Sequence, residues 1–277
     1  MPTPTRPLIW ESLTDLTSVT AITANDESAT FPASNLGRNG TKDQWSTSNV
    51  TGTKSVTWNF GSAISLSAFV MYRHNGTLAG TYRLRLATTQ ANLTNGSALY
   101  DSGAGGISLW QTTDMDVLNR KSFFHSFPSI SPTWALLDIS DAANPDGKFR
   151  AGRAFFGNAL QTLYPLVGSD FLSGEDYSIL EQSPLGYDNV VPQEPRMDFV
   201  KDWVATQKSD AERIVRMWMR TGVAKDIAAV ANPASVTLGD LNLGIFRFRT
   251  KPRIRWDSRL GEDSGYWSCR LDLKAVI

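Results

Sequence analysis

His74 and His125 are the only two histidines in the chain, so any imidazole-based chemistry must use one of them. A nucleophilic triad needs a histidine beside a serine or cysteine, with a carboxylate to orient the ring. No Gly-x-Ser-x-Gly turn occurs in the sequence, and His74 falls just before Asn75-Gly76, where a histidine packs a loop. Asp138, Asp141, Asn144 and Asp146 form an oxygen-rich stretch of the kind that holds calcium. Their spacing does not follow the D-x-[DN]-x-[DN]-G order, and Asp and Asn also collect in turns for conformational reasons, so no metal is expected. The pairs Glu175-Asp176 and Glu262-Asp263 are sequence neighbours that point apart, whereas a glycosidase needs two carboxyls converging at about 5–10 Å. Phosphate-cradling glycine loops, dinucleotide fingerprints and zinc spacings do not occur. The expectation is a protein without catalytic residues or cofactor.

The densest charge feature is the alternation Arg247, Arg249, Lys251, Arg253, Arg255, which fits a solvated strand face or a polar subunit interface. Overall, 27 basic and 27 acidic side chains cancel, and a neutral chain gives no field for the phosphate contacts that carry nucleic-acid affinity. Nine tryptophans and thirteen phenylalanines supply core, and aromatics are also enriched at interfaces. Cys269 is the sole cysteine, so no disulfide forms within the chain. The first residues do not read as a secretory signal, and no stretch of about 18 apolar residues could span a bilayer. Five Asn-x-Ser/Thr triplets, among them Asn39-Gly-Thr and Asn75-Gly-Thr, read as turns, because Asn, Gly, Ser and Thr are the turn formers of a β-rich chain.

The elements that would position these residues are strands. Val56, Trp58 and Phe60 alternate with Ser55, Thr57 and Asn59, the period of a half-buried strand. Ile64 to Tyr72 is apolar almost throughout, as in a strand covered on both faces. Asn75-Gly76 signals a tight hairpin turn before the alternating Tyr82, Leu84 and Leu86. Asn92 to Gly106 reads as loop, and Ser122 to Phe127 and Thr133 to Ile139 as two more strands. Asp141 to Gly147 is dense in turn formers and marks a boundary between modules 1–143 and 144–277. Beyond it a strand over Arg196 to Ala205 leads to a helix over 209–221, opened by the capping box Ser209-Asp-Ala-Glu212 and closed at Gly222. The last strand alternates Trp267, Cys269, Leu271 and Leu273 with Ser268, Arg270, Asp272 and Lys274. The fold class is mainly β: an N-terminal jelly-roll β-sandwich, then a barrel-like β module with one α-helix.

Phe31-Pro-Ala-Ser-Asn-Leu36, Trp45, the strand Ser55 to Gly61 and the ending Arg73-His-Asn75 together resemble the discoidin-like (galactose-binding-like) jelly roll over about residues 20 to 141. The chain carries Asn59 where that family often has Asp. Gly152 to Gly157, the capped helix and the ending Gly265 to Lys274 are similar to the belt module of distal tail proteins of bacteriophages, although there the belt usually comes first. This resemblance implies a structural virion protein of a tailed phage or prophage, made in the host cytoplasm. It would form a homo-oligomeric ring, hexameric or trimeric, against tail tube and tail hub proteins, with Arg247, Arg249, Arg255, Trp267 and Leu271 near subunit contacts. The first resemblance implies an alternative: a carbohydrate- or host-receptor-binding module using loops at one end of the jelly roll, with Trp45, Arg73 and His74 as the ligand residues and a host cell-surface glycan as partner. Neither reading involves nucleic acid or insertion into a membrane.

Overall fold

The computed structural model describes residues 8–15, 19–39, 43–110, 122–161, 173–175, 179–182, 188–191, 196–230, 243–256 and 266–276; within 173–207, and at 255–256, 266–269 and 275, it describes the backbone alone. Two compact units result, Met1–Gln161 with Lys225–Ile245 and Thr162–Ala224 with Phe246–Ile277. No helix among the described residues is long and apolar enough to cross a membrane.

The first unit carries β1 (Leu8–Glu11), β2 (Ala21–Ala24), β3 (Trp45–Ser46), β4 (Lys54–Asn59), β5 (Leu66–Tyr72), β6 (Thr81–Ala87), β7 (Tyr100–Asp101), β8 (Ile107–Ser108), β9 (Phe123–Ile130), β10 (Trp134–Ser140), β11 (Arg150–Ala151), β12 (Arg153–Gly157) and β13 (Leu160–Gln161). One sheet runs β2-β4-β10-β6-β7, with β8 also on β6, and a second runs β12-β5-β9. The alternation read from Ser55 to Asn59 is the observed burial of β4: Val56 and Trp58 point into the core while Ser55, Thr57 and Asn59 do not. β5 lies between β12 and β9, and six of its seven residues are buried, as its unbroken apolar run requires. Trp58, Phe60 and Phe69 all pack on Phe156 at centroid separations of 5.4, 5.6 and 4.6 Å, so the core is tied together by a ring that sits on β12.

That placement shifts the boundary drawn at 143/144. Arg153–Gly157 pairs with β5 in the register Arg153↔Tyr72 to Gly157↔Ala68, and Arg150–Ala151 pairs with β3. The turn formers at 141–147 therefore make a loop inside the jelly roll. The Asn75-Gly76 hairpin also differs from expectation. β5 and β6 belong to different sheets, Gly76 is absent from the positive-φ residues, and the chain turns at Arg73, whose φ is 57°. Gly76 is needed for another reason: a Cβ there would stand 2.6 Å from Leu109 Cδ1.

A further set of paired strands in this unit runs β13, β1 and the later strand β18 (Ile227–Val230), with Leu8↔Val230 and Ile9↔Leu160 in register. The apolar Leu8, Ile9 and Trp10 are buried in it. Arg153 fastens this layer. Its side chain is fully buried, pairs with Asp15, lies 3.2 Å from Asp226 and donates to the Leu36 carbonyl at 2.7 Å. A buried guanidinium persists only where carboxylates and carbonyls replace its water, and these partners come from three separate chain segments.

The second unit holds β14 (Ser173–Glu175), β15 (Ile179–Gln182), β16 (Asp188–Val191), β17 (Arg196–Gln207), α1 (Lys208–Thr221), the C-terminal part of β19 (Leu243–Phe248), β20 (Arg253–Trp256) and β21 (Tyr266–Ala275). β17 pairs with β14 on one side and β21 on the other. β19 and β20 follow one another along β21, through Arg247↔Lys274 and Arg253↔Arg270. The helix starts at Lys208, directly after β17 and one residue before the expected cap at Ser209. Its C-terminal end is as expected: Gly222 has φ 53° and its N–H donates to the Trp218 carbonyl at 2.7 Å.

Candidate functional site

One end of the jelly roll is a cluster of cross-braced loops. The 73–80 connection leaves β5, the 141–149 connection leaves β10, and Leu109 and Trp110 follow β8. Asp141 is the first brace. Its carboxylate accepts from the Thr77 N–H at 2.9 Å, the Thr77 hydroxyl at 2.5 Å and the Asn144 amide at 2.9 Å. Asn75 is the second. Its amide donates to Asp146 and to the Lys148 carbonyl, both at 2.8 Å, and its Oδ1 accepts from the Arg150 N–H at 2.7 Å. Asn144 closes the circuit by donating to the Asn75 carbonyl at 3.1 Å. The half-buried Trp110 lies across these loops, its indole N–H donating to the Gly76 carbonyl at 2.7 Å. Around it, Leu78 is 55% exposed, and Asp146, Lys148 and Arg150 are exposed.

The oxygen-rich stretch of the sequence thus splits. Asp141, Asn144 and Asp146 join this bracing, whereas Asp138 faces the outside of the β4-β10-β6 sheet, where it pairs with Arg85 and accepts from Ser55 at 2.7 Å. Among the described residues, no group of three or more His, Cys, Asp or Glu side chains is placed to hold a metal.

Of the three ligand residues expected from the sequence, two are inside the protein. Trp45 has no exposed surface and packs on Phe149 at 5.7 Å, so its ring has no free face for a ligand. His74 is 4% exposed, stacks on Phe149 at 6.1 Å and accepts the Gly76 N–H on Nδ1 at 3.1 Å. Both form the floor of the loop cluster instead of its surface. Arg73 is half-buried at the cluster edge, with its backbone N–H donating to Ser122 Oγ at 3.3 Å. Trp110 is not among the ligand residues expected from the sequence. The available signal was a tryptophan closing the polar, glycine-rich run Gly103 to Ser108, a place where burial alone does not explain an aromatic.

His125 lies deeper, between two phenols. Tyr82 and Tyr100 hydroxyls sit 2.9 Å from Nδ1 and 2.6 Å from Nε2. Burial lowers the His125 pKa to about 4 and pushes both tyrosines up. A neutral ring carries one N–H, so one tyrosine donates to it and the other accepts. No nucleophile or carboxylate among these contacts makes a triad of it.

The expected subunit-contact residues fall in the second unit. Leu271 is fully buried and pairs with Lys201, which makes it a core residue of that unit. Arg247 is half-buried and Arg249 exposed. Arg255 and Trp267 are placed by backbone alone, in β20 opposite Ser268 and in β21 opposite Thr206.

Neither a family model nor a curated protein sequence matches the chain. Among solved structures it is similar to chitosan-binding module 1 derived from the chitosanase/glucanase of Paenibacillus sp. IK-5, at 13% identity over 52% of this chain and 97% of the module, with a TM-score of 0.38. It is also similar to the lectin domain of lectinolysin complexed with Lewis B antigen (8% identity, 50% of this chain and 92% of that one, TM-score 0.36). A third likeness is to the CBM32 of AlyQ in complex with 4,5-unsaturated mannuronic acid (16%, 50% and 94%, TM-score 0.35). These neighbours are carbohydrate-binding modules and a lectin domain; at this degree of likeness they specify no ligand for the present chain.

Proposed function

We propose that the chain is a non-catalytic carbohydrate-binding protein whose jelly roll takes a glycan at the loop end built around Trp110. The observation that carries this reading is the bracing itself. Asp141, Asn75 and Asn144 hold the 73–80 and 141–149 loops in one arrangement beside the half-buried Trp110, and a sugar needs such a surface. Its C–H faces pack on an aromatic plane, while its hydroxyls exchange hydrogen bonds with fixed polar groups. Arg73, Thr77, Asp146 and Arg150 are the polar side chains at hand. Because the loops are already ordered by internal bonds, little conformational entropy would be lost on binding. The test is a glycan array with the full chain, followed by calorimetric titration of any hit. Trp110→Ala should abolish binding while leaving the unfolding midpoint within a few degrees. Retained binding in that variant, or no glycan bound by the wild type, would overturn the reading.

A second reading, a ring-forming structural protein at the tail tip of a phage, draws support from the second unit. There Met219 on α1 and Val223 just beyond its glycine stop are largely exposed, apolar side chains of the kind that subunit contacts use. Recovery of the chain from purified particles beside tail-tube protein would establish it; its absence from every particle fraction would sink it.

A further inference from the structure

Among the residues whose side chains are described, Phe31 is the one exposed aromatic, at 45% exposure, and its ring is not part of the jelly-roll core. A single exposed ring is ordinary on a protein surface, and what singles this one out is its position. A continuous row of hydrogen bonds joins its backbone to Trp110. The Phe31 carbonyl accepts the Ser46 N–H at 3.0 Å, and Ser46 pairs with Arg150 across β3 and β11. The Arg150 carbonyl accepts the Asn75 N–H at 3.2 Å, and the next residue, Gly76, accepts the Trp110 indole N–H. Three backbone steps at the spacing of adjacent strands, about 4.8 Å each, put Phe31 at most on the order of 14 Å from Asn75. The two rings therefore flank a strip of three chain segments, with room for more than one sugar unit.

That strip carries two cations that the protein does not engage. Lys148 and Arg150 are exposed on either side of the buried Phe149, and alternate residues of an extended segment share a face, so both point outward. Among the described residues neither joins an ion pair. The carboxylates nearby already receive donors: Asp141 from Thr77 and Asn144, Asp146 from Asn75, Glu27 from the Ala33 N–H and Asp43 from Arg38. An anionic oxygen on a ligand would thus meet two donors that no protein carboxylate holds, and such charge-assisted bonds are roughly twice as strong as neutral ones. The polar strip also separates Phe31 from Trp110 and Leu78. The apolar side chains do not merge into the continuous face that a lipid surface takes up.

We infer that the loop end binds an anionic oligosaccharide, bearing carboxylates or sulfates, laid from Trp110 across the Asn75 brace to Phe31, with Lys148 and Arg150 on its acidic groups. This rests on the carbohydrate reading and adds to it a second aromatic subsite, a chain length and a charge.

Calorimetric titration of the full chain tests it. The probes are uronic-acid tetrasaccharides, their carboxyl-reduced neutral counterparts, a sulfated galactan tetrasaccharide and the free monosaccharides. The wild type should bind an acidic tetrasaccharide about tenfold tighter than a neutral one, an advantage that shrinks as salt is raised. It should also bind that tetrasaccharide about tenfold tighter than its monosaccharide, and Phe31→Ala should erase this gain. Lys148→Gln combined with Arg150→Gln should erase the preference for acidic chains, with the unfolding midpoint unchanged. Binding of the sulfated chain alone, or of the uronic acids alone, would support the inference and identify the acid. Trp110-dependent binding of neutral sugars with no gain from charge or length would overturn it and leave the carbohydrate reading standing. Binding of no sugar at all would overturn both. Adherence to phosphatidylserine vesicles that Phe31→Ala abolishes, with no acidic glycan bound, would replace the sugar by a lipid surface and overturn the inference as well.

Discussion

His125 is held neutral by its surroundings, and this has a consequence for stability. Its pKa is lowered by burial from 6.5 to about 4. In the unfolded chain the ring takes up a proton near pH 6.5, whereas the folded one resists until about 4, so between those values the unfolded state binds more protons. Stability is then complete above about 6.5 and declines as the pH falls towards 4. Unfolding midpoints measured across this window should fall for the wild type, and His125→Gln should flatten the slope. Asp26 works in a lower window. Burial alone would raise its pKa, but hydrogen bonds from Lys54 at 2.5 Å and from Ser48 outweigh that and hold it at about 2. The group is a stronger acid when folded, so its contribution is present above about 3.8 and lost as the pH drops through about 2; Asp26→Asn should remove that part of the acid sensitivity. Trp45 separates a core role from a ligand role. With no exposed surface, Trp45→Ala should cost about 3–5 kcal/mol of stability in chemical denaturation, the range for truncating a buried tryptophan. Its neighbour in function, Trp110, should lose glycan and little else.

The short strand β12 does more than its five residues announce. It is the edge partner of β5, it brings Phe156 against Trp58, Phe60 and Phe69, and it carries Arg153. Removing Arg153 would leave the buried Asp226 and Asp15 without their common counter-ion, and breaking a buried pair from one side is severe. Arg153→Ala should therefore lower stability by about 3–5 kcal/mol, read from urea unfolding, while Arg216→Glu on the exposed face of α1 should leave it unchanged. The period-2 pattern predicted β4, β6 and β21 well because each has one face in a core. β12 was harder to recognise, because all five of its residues are buried and the run Arg-Ala-Phe-Phe-Gly has no alternation to display. The Asn75-Gly76 pair misled for a related reason. Its composition fits a two-residue hairpin, but the tertiary structure uses Asn75 as a three-bond brace and Gly76 for close approach to Leu109.

The first unit is not a contiguous piece of chain. It needs β11 and β12 from beyond the turn at 141–147, and β18 from a strand some 70 residues further on. A fragment ending at residue 143 should consequently fail to fold cooperatively, lacking Phe149, Phe155 and Phe156; a fragment spectrum with dispersed amide resonances would contradict this. The formal neutrality of the molecule likewise conceals a separation: an acidic 170–202 stretch precedes a basic helix and strand pair.

The sequence by itself determined the fold class, the main strands, the helix over 208–221 and its glycine stop, because these follow from local periodicity and turn chemistry that any stretch of a few residues displays. Only the tertiary structure decided which aromatic lies inside and which at the surface, where the first unit ends, and what the acidic turn residues do. Those depend on partners up to about 140 residues apart, such as Arg153 with Ser12 and Asp15, and no local pattern encodes a contact whose other half is that far along the chain.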